Sequence, residues 1–393
     1  MIIRSSLLAS IVAFAVVQAG CASSRQPLMI RESAPRQSSA VVITPGAAVG
    51  AKTGATTQSV EQTFPVPVVY LSGSPAEMGA GHGKALGGTV RMLHEKYLMV
   101  FLAGGSERVM ARLAANAFAA LSLPEHRDEI AALAAGSAID GRDTMLAQCF
   151  LDLTPMTACS TVTLPAAASN DGVARFGRNL DFPSLGVADK HTTLFIVKPA
   201  DRYAFASVGW PGMIGVLSGM NEHGLSLANM EVTRSPRMPT GMPYTLLYRA
   251  VLEQCKTVDE AIAFLKNTPR QTANNLMLMD ATGDRAVAEI TPEGVVVRRA
   301  DDRTALLSTN HQRGADLATP GRCSRYDYLL KQSTRDFGGI GERSVEAMLQ
   351  HVGGAMTLQS MVFEPANRVI HLSAGTSAAD RAFTRIELSP LFR

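Results

Sequence analysis

The chain has 393 residues, 46% of them hydrophobic and 18% charged, enough for one large domain or two ordinary ones around a sizeable core. Its net charge of +3 is small and dispersed, which argues against a nucleic-acid partner. No C-x-x-C or H-E-x-x-H pattern occurs and the eight histidines are scattered singly, so neither a metal site nor a cofactor is implied.

The first 21 residues read as an export signal. Arg4 supplies the positive start, and "LLASIVAFAVV" (7–17) is an apolar run too short to span a bilayer comfortably. "VQAGC" then ends at Cys21, resembling a bacterial lipoprotein signal in which Cys21 is acylated and anchors the mature protein to a membrane. Gln18 stands where such signals usually carry an aliphatic residue. Cleavage after Ala19, giving a secreted or periplasmic soluble protein, is the alternative, since Val17 and Ala19 fit an ordinary cleavage site. Ala22 lacks the Asp that holds lipoproteins at the inner membrane, so the expected address is the outer membrane, facing the periplasm. Residues 22–62 hold no aromatic residue and are rich in Ser, Ala, Gly, Thr and Gln, the composition of a flexible tether.

Folded sequence is expected from 63 onward, starting with a strand in "FPVPVVYLSG" (64–73). A mostly helical segment follows, to residue 158, with Ser74 as N-cap and Pro75 in the first turn. "GAGHGKALGG" (79–88) lacks the Lys-Ser/Thr pair of a phosphate loop and lies inside helical periodicity. Its glycines therefore read as close helix packing. After Cys159 the texture changes to short strand-like runs separated by turn signals. Helices are expected near 243–255, 257–267, 323–335 and 342–351, a hairpin over 274–300, and "RVIHLSAG" as the last strand. The order predicts an α+β or layered sandwich fold, with 159–393 as one domain.

Cys159, in "MTACSTVTL" (156–164), sits where the texture changes. A lone cysteine is often a small core hydrophobe, and a nucleophilic thiol needs a partner, since its free pKa is about 8.5. His311, beside Asn310, is one candidate base, as in papain-like proteases. Another solution removes the histidine. If the 158–159 bond is cut, Cys159 gains an α-amine titrating near about 7.7–8.0, within reach of its own sulfur.

Four motifs, "ACST" (158–161), "GRNLDF" (177–182), "GMNEHGLSLANME" (219–231) and "STNHQ" (308–312), carry a family resemblance. In order and spacing they resemble the cysteine N-terminal-nucleophile (Ntn) hydrolases of the choloylglycine hydrolase, penicillin V acylase, N-acylethanolamine acid amidase and isopenicillin N acyltransferase group. The resemblance covers roughly residues 64 to 375. It implies a four-layer αββα sandwich behind a helical pro-segment, a cut between Ala158 and Cys159, and Cys159 as nucleophile. Arg178 and Asp181 match the charges beside it; Asn310 and the backbone N–H of Glu231 match the oxyanion donors. Arg325, in "CSRYDYL", matches a second arginine more loosely. Ser160 stands where the family often has Thr.

Each element has a blander reading. "GRNLDF" alone is more often a surface ion pair worth ~0–1 kcal/mol, and Asn310 alone an Asx-turn residue. In an ideal strand Arg178 and Asp181 point to opposite faces, so their joint role requires a bend after Arg178. Trp210, Met213, Met220 and Met230 could line an acyl pocket or simply fill the core. The leading expectation is an exported, self-processing amidase acting on a linear amide of a small N-acyl substrate through an acyl-thioester. An acyltransferase would use the same site. A papain-like protease using Cys159 and His311, and a tethered binding protein without chemistry, are the other readings.

Overall fold

The computed structural model describes residues 41–44, 49–51, 60–102, 105–154, 158–232, 239–318 and 321–393. Cys21 and the export signal lie outside them. Five strands or strand segments precede or open the body: β1 (Val41–Ile43), β2 (Val49–Ala51), β3 (Val60–Gln62), β4 (Val68–Gly73) and β5 (Ala158–Leu164). Between β4 and β5 come α1 (Pro75–Leu93), α2 (Gly105–Leu121), α3 (Pro124–Ser137) and α4 (Gly141–Leu153). The body continues with β6 (Arg175–Asp181), β7 (Thr193–Pro199), β8 (Phe205–Gly209), β9 (Ser218–Asn221), β10 (Ser226–Glu231), α5 (Tyr244–Gln254) and α6 (Val258–Asn267). It closes with β11 (Asn274–Met279), β12 (Arg285–Ile290), β13 (Val295–Arg299), β14 (Leu306–Ser308), α7 (Ser324–Arg335), α8 (Glu342–Val352), β15 (Thr357–Glu364), β16 (Val369–Ala374) and β17 (Thr384–Glu387).

Two sheets form the centre. One has nine strands in the order β1-β4-β7-β8-β9-β10-β11-β12-β13; the other has six, β14-β5-β6-β15-β16-β17. The sheets meet face to face through β5 against β10 and β12 against β14. Helices α5 and α6 pack on the nine-stranded sheet, α7 and α8 on the six-stranded one. The architecture is the expected αββα sandwich.

Strand chemistry explains the layering. In β5 the residues alternate: Cys159 belongs to the large core shared with Phe176 and Leu180, whereas Val162 and Leu164 pack with Leu329, Val345 and Leu349 of α7 and α8. Both faces are covered, so every residue of β6 is buried. A strand covered on both faces needs β-branched or polar residues whose hydrogen bonds are met inside, and in β5 Thr161 and Thr163 donate to the carbonyls of Ser308 and Leu306.

The helices expected ahead of residue 158 form. Ser74 caps α1 with a capping box to Glu77, and Pro75 occupies the first turn. The glycines of α1 do serve close packing, since a Cβ on Gly83 would come within 2.8 Å of the Gly136 backbone in α3. The helix does not run unbroken to residue 104: it passes into a π turn at His94–Leu98.

Several expectations are corrected. The tether of 22–62 contains β1, which pairs antiparallel with β4 at the edge of the nine-stranded sheet, and the β2–β3 hairpin. The 274–300 hairpin is a three-strand meander, β11 to β13. Strand 369–374 is not the last, for β17 follows and pairs with β16, and β15, at the centre of its sheet, was not foreseen. The strand expected within 64–73 does form, as β4, and it lies parallel to β7 inside the body's sheet.

Candidate active site

Cys159 is the second residue of β5 and fully buried. Its neighbours come from both flanking strands. β6 pairs with β5 without interruption, placing Leu180 opposite Cys159 and Asp181 opposite Ala158. β14 pairs on the other side, and the chain leaves Ser308 toward the same end of the sheet, which brings Asn310 alongside.

The peptide around Cys159 is held at both polar ends. Its N–H donates to Asn310 Oδ1 at 2.7 Å, and its carbonyl accepts from Arg325 Nη1 at 2.6 Å. Arg325, in the first turn of α7, also donates to Ser160 Oγ at 3.0 Å and to Asn310 Oδ1 at 3.0 Å. Its guanidinium stands 3.6 Å from Asp181. Asp181 accepts a hydrogen bond from Thr357 at 2.6 Å. Burial pushes the Asp181 carboxyl above the usual range, while the Thr357 hydroxyl, Arg325 and Arg178 pull it back.

Arg178 and Asp181 do not share a face. The expected bend in β6 is absent; the irregularity lies on β15, whose register slips between Thr357 and Gln359 opposite Asp181 and Leu180. Arg178 therefore stays on the Cys159 face, donating to Ser218 Oγ of β9 at 3.2 Å and to the Asn179 carbonyl at 3.1 Å. Asp181 faces α7. A cation on the thiol's side and a carboxylate beside Ala158 thus bracket the 158–159 peptide.

Asn310 and Glu231 meet, though not as two donors: Asn310 Nδ2 donates to the Glu231 carbonyl at 2.8 Å. In the continuous chain the Asn310 amide group is thus turned toward that carbonyl. His311 is partly buried, and burial with Arg313 and Arg325 nearby lowers its pKa.

Of the pocket candidates, Trp210 and Met213 line an apolar cavity; Met220 and Met230 do not, being fully buried in the core. Residues ahead of Cys159 contribute Val90, Leu93, Tyr97 and Phe150, and residues after it Phe182 and Leu217. Phe182 stacks between Tyr97 and Trp210, and the Tyr97 hydroxyl donates to the Pro183 carbonyl. Phe182 directly follows Asp181 in the chain and Leu217 precedes Ser218, the residue that accepts from Arg178.

Three residues near the site carry no signal in their local sequence: Thr357, Ser218 and Asp152. Asp152, at the end of α4, is buried and takes hydrogen bonds from Thr272 and from the backbone of Tyr244. Burial raises its carboxyl to about 8, with the neighbouring Glu231 carboxylate adding to the shift. Among the described residues one group could hold a metal ion, Glu342, Glu346 and His371, away from this site.

Comparison with known proteins follows the same outline. A relative from Archaeoglobus fulgidus, itself an uncharacterized protein, is 26% identical over 273 residues, covering 60% of this chain and 45% of its own. The chain thus spans less than half the length of that relative. Similar solved structures include a variant of conjugated bile acid hydrolase from Clostridium perfringens (16% identity, 58% of this chain and 92% of that one, TM-score 0.43). Others are the N-acylethanolamine-hydrolyzing acid amidase ortholog of Caenorhabditis elegans (16%, 53% and 93%, TM-score 0.43) and penicillin V acylase from Agrobacterium tumefaciens (17%, 55% and 82%, TM-score 0.41). Residues 168–378 match the acyl-coenzyme A:6-aminopenicillanic acid acyl-transferase family, a stretch that begins shortly after Cys159 and includes Arg178, Asp181, Glu231, Asn310 and Arg325. With more than half of its length matched, the chain belongs to that family.

Proposed function

We propose that this protein cuts itself between Ala158 and Cys159 and then hydrolyses a linear amide of a small N-acyl substrate through an acyl-thioester on Cys159. The observation that carries the reading is the clasped peptide at the start of β5. Asn310 holds the Cys159 N–H, Arg325 holds its carbonyl, and Asp181 lies opposite Ala158. This reading assigns the preceding carbonyl to the thiol as its electrophile. Attack by Cys159 Sγ on the Ala158 carbonyl breaks the C–N bond and forms a thioester, the nitrogen taking the thiol proton. Water then hydrolyses the thioester, leaving Ala158 as a carboxylate and Cys159 with a free α-amine.

In turnover the α-amine takes the thiol proton and returns it to the departing amine. Asp181 holds that amine, and Arg178 favours thiolate from the core side. Asn310 Nδ2, leaving the Glu231 carbonyl, and the Glu231 N–H stabilise the tetrahedral oxyanion; losing one such donor costs about a hundred- to a thousandfold. The cavity lined by Phe182, Trp210 and Met213 suits an apolar acyl half. If a second amine replaces water, the same site transfers the acyl group. The opening 21 residues support export and anchoring through lipid on Cys21 at the outer membrane; loss of palmitate labelling in Cys21→Ala checks the anchor.

Intact mass of purified protein tests the reading. The expected result is two chains, the second starting at Cys159, with Cys159→Ala remaining as one. Processed enzyme is expected to release free amine and acid from a panel of fatty-acyl, bile-acid and phenoxyacetyl amides, and thiol alkylation should abolish this. An intact chain that still hydrolyses amides contradicts self-cleavage as the route to activity. Digestion of casein without small-amide turnover favours the papain-like reading.

A further inference from the structure

On the helix-covered face of the six-stranded sheet, three side chains that the mechanism above does not use converge. In β16, Ile370 and Leu372 pack into the core between the sheets, so strand alternation turns His371, between them, toward the helix layer. It pairs across the sheet with Val362, which packs with Val345 and Leu349 of α8. Glu342 and Glu346 stand one turn apart on that same helix. Glu342, Glu346 and His371 each offer an atom that could ligate a metal, and these atoms all lie within 4.8 Å of one another. No short motif announces the group, because a helix and a strand bring it together.

The imidazole is braced from both sides. His371 is 1% exposed, and its Nδ1 lies 2.8 Å from Glu342 Oε1. Its Nε2 is buried without a hydrogen-bond partner, 3.5 Å from Glu364 Oε1. A carboxylate behind the ring is the arrangement that orients a metal-binding histidine. Glu364 is itself fixed by Arg175 at 3.2 Å and by Asn367 at 2.9 Å. Glu346, by contrast, has no hydrogen-bond or ion-pair partner among the described residues. Burial and the neighbouring Glu342 carboxylate raise its carboxyl above the usual range. Two acids on successive turns repel each other, and a cation between them removes the repulsion.

We propose that Glu342, Glu346 and His371 bind a divalent transition-metal ion of the zinc class, which fastens α8 to β16. One imidazole nitrogen and two carboxylate oxygens suit such an ion, whereas calcium and magnesium take oxygen ligands alone. Both glutamates are only partly buried, which leaves water a side from which to complete the coordination. Along the register His371, Val362, Gly177, Val162, the site lies three strands across the sheet from β5. The ion therefore takes no part in the acyl chemistry. It steadies the layer behind that chemistry, since α8 backs β6, where Asn179 Nδ2 donates to the Leu349 carbonyl at 2.7 Å. The inference stands apart from the amidase reading and survives its failure.

Zinc is titrated into metal-stripped Cys159→Ala protein, which lacks the thiol of the reaction centre as a competing ligand. Calorimetry reads the binding, and the unfolding midpoint is followed against zinc concentration. One equivalent per chain is expected, with a midpoint that climbs as zinc is added and zinc that a large excess of magnesium does not displace. Glu346→Gln, which has no partner to lose, should keep the metal-free midpoint and weaken zinc by at least about tenfold, since even groups behind a ligand contribute that much. Glu342→Gln should weaken it similarly. Cobalt at the same site should give a visible absorption band that His371→Ala removes; if His371→Ala does not fold, the two glutamate variants decide. Absence of a saturable equivalent, zinc affinity equal to the parent's in both glutamate variants, or displacement by magnesium overturns the site.

Discussion

Asp181 shows how a single carboxyl is set between opposing forces. Burial favours its neutral form, and the Thr357 hydroxyl, Arg325 and Arg178 favour the charged one, leaving its pKa above that of an ordinary aspartate. An acid needed as a carboxylate is competent above its folded pKa and fails below it, so activity should fall on the acid side at a pH higher than a free aspartate predicts. Thr357→Val removes one stabiliser of the charged form and should move that acid limb further up, as read from kcat/KM against pH in both proteins. Asp181→Asn should lower both maturation and turnover by about a hundredfold or more, the scale of losing a charge-assisted partner at a reacting group. An acid limb that stays put in Thr357→Val would show that another group titrates there. Nothing in the run "TLQSMVFE" advertises this duty, because Thr357 and Asp181 lie 176 positions apart and meet only through strand pairing.

Helices and strands differed in how openly they declared themselves. The capping box at Ser74, the periodicity of α3 and α4, and the ends of α5 to α8 are local signals, and each lies close to its expected place. β15 is buried on every residue and pairs with β6 and β16, so its identity depends on partners far away, not on alternation. β1 hid in a stretch whose composition suggests a tether, since three residues, Val-Val-Ile, suffice for an edge strand when β4 offers a free side. The site motifs were legible as a set, whereas the facing of Arg178 and Asp181 had to await the register of β5, β6 and β15. The α1–α3 contact offers a test at this scale. A Cβ on Gly79 would run into the Glu129 carbonyl, but one on Gly88, in the same helix, meets nothing within 4 Å. Gly79→Ala is expected to destabilise by about 1–3 kcal/mol through overpacking, and Gly88→Ala to stabilise by about 0.5–1 kcal/mol through helix propensity. Denaturant unfolding of the Cys159→Ala chain compares them; stabilisation by Gly79→Ala as well would show that α1 and α3 do not pack this closely in solution.

Across the whole molecule the helices ahead of Cys159 are joined to the rest by buried polar groups as well as by apolar surface. Arg249 of α5 holds Glu129 of α3 at 2.6 Å and Glu253 at 2.8 Å, all three nearly inaccessible. Gln148 of α4 donates to the Gly212 carbonyl and accepts from the Ile214 N–H. Asp152 adds a pH dependence to this seam. Its folded pKa of about 8 lies above its ordinary value of 3.8, so its neutral form favours the folded state. That contribution is complete below about pH 4 and is lost as pH rises toward 8, because the unfolded chain releases the proton first. The wild-type side chain should therefore cost stability relative to Asp152→Asn with a slope approaching about 1.4 kcal/mol per pH unit over this window. Unfolding midpoints at pH 5 and pH 8, with Cys159→Ala in both backgrounds, check it. Parallel pH curves would place the Asp152 pKa near its ordinary value.

The parallel pairing of β4 with β7 means that a cut before Cys159 divides the chain without dividing the sheet. β4 is bonded to β7 on one side and β1 on the other, so the severed piece remains an internal member of a structure it no longer shares a backbone with. Assembly of that sheet is unimolecular only while the chain is whole. Once cut, any molecule that opens fully must find its missing strands by collision, at a concentration far below the one its own linker supplied. Folding thereby becomes historical: the blueprint is read once, and the cut discards the tether that made it readable. The working life of the mature enzyme is then governed by how slowly it opens and not by an equilibrium it can no longer return to.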